Sequence, residues 1–131
     1  MKITRNFYRE EFDSRDGSVM PFKIQENIVD LAQNLQVVRD YINTPLTINS
    51  GYRSPQHNEN IGGVSNSYHV LGMAADITVK NYSPKRLARL LKRLIKKGLI
   101  SKGGVGLYNG FVHYDIRGYN ARWDNSSWYN F

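Results

Sequence analysis

The stretch "SNSYHVLGMAADITV", residues 65–79, decides how the rest of the chain is read. Its second half, "AADITV" (74–79), has the composition of a strand. Strand side chains alternate between faces, so Asp76 and Thr78 share one face while Ala75, Ile77 and Val79 take the other. Its first half is a loop that places His69 seven residues before Asp76. A buried strand has no need of that histidine. Gly72, Ala74 and Ala75 are small enough to let the loop lie close to the sheet. A histidine, a carboxylate and a close-lying loop together mark a candidate site.

Working outward, "LTINS" (46–50) reads as a strand before this stretch, and "SPQHNENIGG" (54–63) as a short helix capped by Ser54 and opened by Pro55. Earlier still, "FYREEFD" (7–13) suggests a helical turn. Pro21 then opens a helix to about Ile42, with Ile24, Ile28, Leu31, Leu35, Val38 and Ile42 at three- and four-residue steps. Asn43, Thr44 and Pro45 stop it. Downstream, "SPKRLARLLKRLIKKG" (83–98) is a helix with Ser83 as cap, Pro84 as first residue and Gly98 as stop. Then "GGVGLY" (103–108) and "FVHYDIRG" (111–118) read as a hairpin around Asn109-Gly110. The tail, "YNARWDNSSWYNF", has no pattern that places it. About four strands and two substantial helices predict an α+β fold: a small, mostly antiparallel sheet with helices packed on one face.

The chain has 131 residues, which fits one domain over 1–131. It has no cysteine, so disulfides and thiolate metal ligands are excluded, and any metal must be held by His, Asp or Glu. No apolar run approaches the roughly 20 residues of a membrane span. The N-terminal "MKITRNFYREEFDSRDG" lacks the apolar core of a secretory signal, so the expectation is a protein made in the cytoplasm without export signal. The net charge is +7, and nine of the 18 basic residues fall between Lys80 and Lys102 with no acid among them. That balance favours an anionic partner: nucleic acid, a membrane surface or a cell wall.

In the last predicted strand Phe111, His113, Asp115 and Arg117 share a face, opposite Val112, Tyr114 and Ile116. If this strand neighbours "AADITV", Asp76 and His113 converge, with His69 arriving from the loop. Two histidines and one carboxylate are a standard catalytic zinc set. His57 has no such company and reads as a surface helix residue. The "HYD" at 113–115 also matches the His-x-Asp of iron(II) oxygenases. Those need a second histidine downstream, and none occurs in the 16 residues after Asp115.

"INSGYRSPQHNENIGGVSNSYHVLGMAADITV" (48–79) followed by "GGVGLYNGFVHYDIRG" (103–118) resembles the zinc D-Ala-D-Ala carboxypeptidase and murein endopeptidase family, which includes phage endolysins and shares the hedgehog-type fold. The resemblance rests on Ser-x-His, six residues, Asp, then a distant His near a strand end, met by Ser67, His69, Asp76 and His113, and on "SGYR" at 50–53. It implies Zn2+ held by His69, Asp76 and His113. It implies Arg53 beside the reacting centre, as a catalytic or substrate-binding residue, with Ser67 and Tyr108 as further candidate substrate contacts. Several branches carry an acidic base three residues before the last ligand. Here that position is Gly110, which leaves Asp115 as the candidate, either as base or as an anchor behind the metal; the alternative is a structural carboxylate paired with Arg117 or Arg53.

The function implied is hydrolysis of amide bonds in peptidoglycan stem peptides or cross-bridges by a D,D-carboxypeptidase or endopeptidase, of phage lysis or virion type. The partner expected is bacterial peptidoglycan, with no specific nucleic acid, no membrane insertion and a monomeric state. The enzyme would act on the wall after release from a host cell or a virion. The alternative is a non-catalytic wall-binding or virion-attachment module of the same fold.

Overall fold

The computed structural model describes residues 1–127. After a 3-10 turn at Arg9–Phe12 come helix α1 (Phe22–Ile42), strand β1 (Leu46–Ser50), helix α2 (Pro55–Asn60) and strand β2 (Ala74–Val79). Helix α3 (Pro84–Lys96) and strands β3 (Gly104–Leu107), β4 (Val112–Asp115) and β5 (Ala121–Asp124) complete the order. The expected α+β architecture is present. The helices begin and end for the reasons the sequence supplies. Ser54 Oγ accepts the His57 amide and Ser83 Oγ accepts the Arg86 amide, each ahead of a proline in the first turn. Asn43 closes α1 in the left-handed region, at φ 50°.

The sheet runs β1-β2-β4-β3-β5, antiparallel throughout except for a parallel β3–β5 pair. One face is apolar. Ile48, Ile77, Val105, Val112 and Tyr114 meet Ile28, Leu31 and Leu35 of α1 and Leu87, Leu91 and Leu94 of α3 in one buried cluster. Burial of these side chains, at roughly 25 cal/mol per Å² of apolar surface, holds both helices on that face. The opposite face is left for polar side chains.

The sheet has five strands where the sequence suggested four. β5 lies in the tail that carried no readable pattern. It is only four residues long and half polar, and its place is set by pairing with β3 rather than by its own propensity. Residues 128–131, the rest of that tail, lie outside the described residues.

Candidate metal centre

A single row of residues crosses the polar face of the whole sheet. Ser50 pairs with Asp76, Asp76 with His113, His113 with Gly106, and Gly106 with Trp123. The central pair, Asp76 and His113, brings a carboxylate and an imidazole together across two strands. Gly106 is glycine for a steric reason: a Cβ there would sit 2.3 Å from the Trp123 indole. The missing side chain lets Trp123 reach across β3 to His113, with ring centroids 5.0 Å apart.

His69 comes from the loop before β2, and the question posed by its spacing from Asp76 has a packing answer. Gly72 adopts φ +70°, and a Cβ there would meet Ile24 Cγ2 at 2.5 Å, so the loop presses directly on α1. Ala74 and Ala75 are fully buried beneath it. Ser67 Oγ accepts the His69 amide, and the His69 carbonyl accepts the Arg53 amide. The motif serine and the "SGYR" segment therefore both shape the loop that aims His69.

His69 Nε2 lies 3.2 Å and His113 Nδ1 3.4 Å from Asp76 Oδ1. The ligand atoms of the three residues all lie within 4.8 Å of one another, and all three residues are buried. Each ring is fixed at its other nitrogen. His69 Nδ1 is 2.8 Å from the Gly51 carbonyl and His113 Nε2 is 2.7 Å from Asp115 Oδ2. Those partners can only accept, so a neutral ring, the form that ligates a metal, places its N–H there and leaves the nitrogen beside Asp76 free for an ion.

The electrostatics favour positive charge beside Asp76, borne by protons on the two rings or by an ion that displaces them. Burial works against the Asp76 charge, but hydrogen bonds from His113 and His69 outweigh it and hold the carboxyl well below the usual range. Burial likewise opposes protonation of His113, but its contacts with Asp115 and Asp76 outweigh that and raise its pKa. Ligands 2.0–2.1 Å from a tetrahedral ion stand about 3.3 Å apart, close to the two distances from Asp76 Oδ1, and two histidines with one carboxylate are a donor set that suits zinc.

Arg53 lies beside the ligands. Its Nη2 donates to Asp76 Oδ2 at 3.1 Å, Nε to Ser50 Oγ at 3.2 Å and Nη1 to Asn58 Oδ1 at 3.3 Å. The ligands open onto a cavity of about 570 Å³ whose walls include Arg53, Tyr68, Tyr108, Phe111, Arg117 and Trp123. Tyr108 stacks on Phe111 at 4.5 Å and accepts the Trp123 Nε1 hydrogen bond at 3.0 Å. Ser67 also reaches the cavity wall.

Asp115 does not face the cavity. It is fully buried, with Oδ2 on His113 and Arg117 and Oδ1 on the Gly104 amide. Burial opposes its charge, and the donors from His113, Arg117 and Gly104 more than offset that and keep it ionised. Among the described residues lining the cavity, Asp76 is the only carboxylate. His57 sits on α2 outside this group.

Trp123 and Tyr68 escaped the sequence reading, whereas the pairing of Asp115 with Arg117 was among its alternatives and is present. One signal for Trp123 was present: glycines at alternate positions, Gly104 and Gly106, mark a strand face where other groups approach closely.

Comparison with known proteins agrees with this geometry. A segment of 66 residues, 50% of this chain, is 38% identical to the zinc D-Ala-D-Ala carboxypeptidase of Streptomyces albus G. The segment spans 26% of that relative's length. The sequence model of the Peptidase M15 family matches residues 4–115, which run from before the first helix to the strand bearing His113 and Asp115. The chain belongs to the peptidase M15 family.

Proposed function

We propose that this chain forms a zinc peptidase domain that hydrolyses amide bonds in peptidoglycan stem peptides or cross-bridges. The observation that carries the reading is the convergence of His69 Nε2, Asp76 Oδ1 and His113 Nδ1 at the base of an open cavity. Support for the substrate comes from the related Streptomyces albus G protein, named for D-Ala-D-Ala carboxypeptidase activity. Zinc, when bound, supplies the Lewis acidity that polarises an amide carbonyl and activates water.

The residues around it divide the remaining work. Arg53 is the cation nearest the ligands and serves to bind a substrate carboxylate or to stabilise the oxyanion that develops at the carbonyl. Asp115 serves as an anchor that keeps His113 in the metal-binding tautomer, because its oxygens are directed to the far side of the ring. Tyr108, stacked on Phe111 and bonded to Trp123, offers a rigid wall for the peptide, and Ser67 holds the His69 loop at its edge.

The +7 charge suits an anionic wall, and among the described residues no helix is long and apolar enough to cross a membrane. The proposed setting is phage lysis or a virion, where a wall hydrolase meets peptidoglycan. Digestion of defined muropeptides, read by mass spectrometry, tests the proposal and identifies the bond. Zinc-dependent loss of the terminal D-Ala supports carboxypeptidase action, and splitting of cross-linked dimers supports endopeptidase action. Zinc binding with no cleavage of any muropeptide would favour the non-catalytic attachment module instead.

A further inference from the structure

We propose that Arg117 is a positioning residue for the metal ligand His113, acting through Asp115, with Tyr68, Tyr119 and Trp123 as the box that holds its guanidinium. The inference rests on the metal-site reading above and adds a layer behind it.

Asp115 alone cannot fix the orientation of His113. Its side chain hangs from the end of β4 and can turn about Cβ–Cγ, and His113 gives it one donor. Arg117 gives it three. Nη2 donates to Oδ2 at 2.8 Å, Nε to Oδ1 at 2.9 Å and the backbone amide to Oδ1 at 3.1 Å. The two guanidinium bonds form a fork that matches the carboxylate plane, so they fix its rotation as well as its position. The Gly104 amide completes the set at 2.9 Å. Close packing here is enforced by the backbone. A Cβ on Gly103 would fall 1.6 Å from the Asp115 carbonyl oxygen, and one on Gly104 would fall 2.4 Å from Asp115 Oδ2. Oδ2 therefore has one place to be, and it is the place that takes the His113 Nε2 proton.

The fork is itself held. The guanidinium carbon of Arg117 lies 4.4 Å from the Tyr68 ring centroid, 5.4 Å from Trp123 and 5.7 Å from Tyr119. Such contacts are attractive for a cation over a ring face. The Tyr68 and Tyr119 hydroxyls meet at 3.2 Å, which ties the His69 loop to the segment after β4. Trp123 touches the His113 ring as well as Arg117. One cluster thus restrains His113 from behind, through Asp115, and from the side, through the indole. The arginine is not replaceable by lysine on this account, since lysine keeps the charge but has no planar fork.

The experiment measures zinc affinity by chelator competition in the full chain, alongside the visible spectrum of the cobalt-substituted protein. The variants are Arg117→Gln, Arg117→Lys, Tyr68→Leu and, as a destabilised control away from the site, Ile28→Val. Loss of a carboxylate-side support for a ligating histidine typically weakens metal binding 10–100-fold. Both arginine variants should fall in that range with altered cobalt bands. Tyr68→Leu should weaken binding less, by a few-fold, and Ile28→Val should leave affinity and spectrum unchanged. Arginine variants within twofold of wild type and with unchanged cobalt bands would overturn the proposal. So would an equal loss in Ile28→Val, which would reduce the effect to general stability. Unchanged affinity with a raised KM on muropeptides would reassign Arg117 to direct substrate contact. A wild-type chain that binds no zinc would instead remove the metal-site reading itself.

Discussion

His113 Nε2 stands 2.7 Å from Asp115 Oδ2, and this contact decides which nitrogen of the ring faces Asp76. It also separates the two roles open to Asp115. An anchor removed by Asp115→Ala should lower zinc affinity about 10–100-fold, with activity partly restored by added zinc. A general base removed by the same change would keep its zinc and lose turnover by 10²–10⁴-fold. Because the carboxylate points away from the cavity, we expect the first pattern. Parallel measurement of bound zinc and of turnover in zinc excess distinguishes them.

One zinc per chain is expected in protein purified without added metal, and His69→Ala, Asp76→Ala or His113→Ala should each lose most of it. Zinc that binds only the folded site must also stabilise the fold. At a free concentration 100 times the dissociation constant the gain is about 2.7 kcal/mol. Thermal melting with and without chelator reads that gain directly, and it should vanish in the His113→Ala chain.

Arg53→Lys should cut turnover on muropeptides by about tenfold or more. The ammonium keeps the charge but cannot span Ser50, Asn58 and Asp76 as the guanidinium does. Zinc content should stay near one per chain. Wild-type turnover in this variant would exclude Arg53 from the chemistry.

The basic helix divides between two surfaces. Lys85, Arg89 and Lys92 line a groove against Arg122 and Asp124 of β5, while Arg86 and Arg93 border Tyr41 and Tyr82 on the other side. Trp123 lines both the first groove and the cavity above His69, Asp76 and His113. Changing Lys85, Arg89 and Lys92 to Glu should weaken binding to intact walls and flatten its salt dependence, while cleavage of small soluble muropeptides persists. Equal loss on both substrates would contradict a role confined to wall attraction.

Asp16 supplies a pH-dependent tether near the site. Hydrogen bonds from Ser54 Oγ, at 2.7 Å, and from the Ser18 amide, at 3.0 Å, hold its pKa below the ordinary value. A folded pKa below the unfolded one gives stability that is present above the unfolded pKa, near 4, and is lost as pH falls through the folded one. Asp16→Asn should therefore melt below wild type at pH 7, and the gap should narrow as pH drops below 4. A gap that holds constant down to pH 2 would rule this out.

The parts of the molecule legible in the sequence are those whose signals are local. The α1 stripe from Ile24 to Val38, the Ser-Pro starts of α2 and α3, and the alternation in "AADITV" and "FVHYD" each carry their own period or cap. The grouping of His69, Asp76 and His113 was legible through motif spacing, and the shared face of Asp76 and His113 through alternation. The direction of Asp115 was not, because two residues on one strand face can meet a shared ion or each other, and only the Arg117 fork and the Gly104 amide decide between these. Trp123 was hidden for a related reason. Its contact with His113 is made across an intervening strand, and the residue that permits it, Gly106, says nothing by itself about which side chain arrives.

The pairing of Asp76 with His113 across β2 and β4 ties the metal to strand alignment. Sliding β4 by one residue would set Val112 or Tyr114 opposite Asp76 and turn His113 into the apolar layer under α3. A misaligned sheet has two donors at most and cannot close around the ion. Zinc held by these three side chains would therefore act as a proofreader of assembly, adding its binding free energy to the correctly aligned strands and to none of their neighbours.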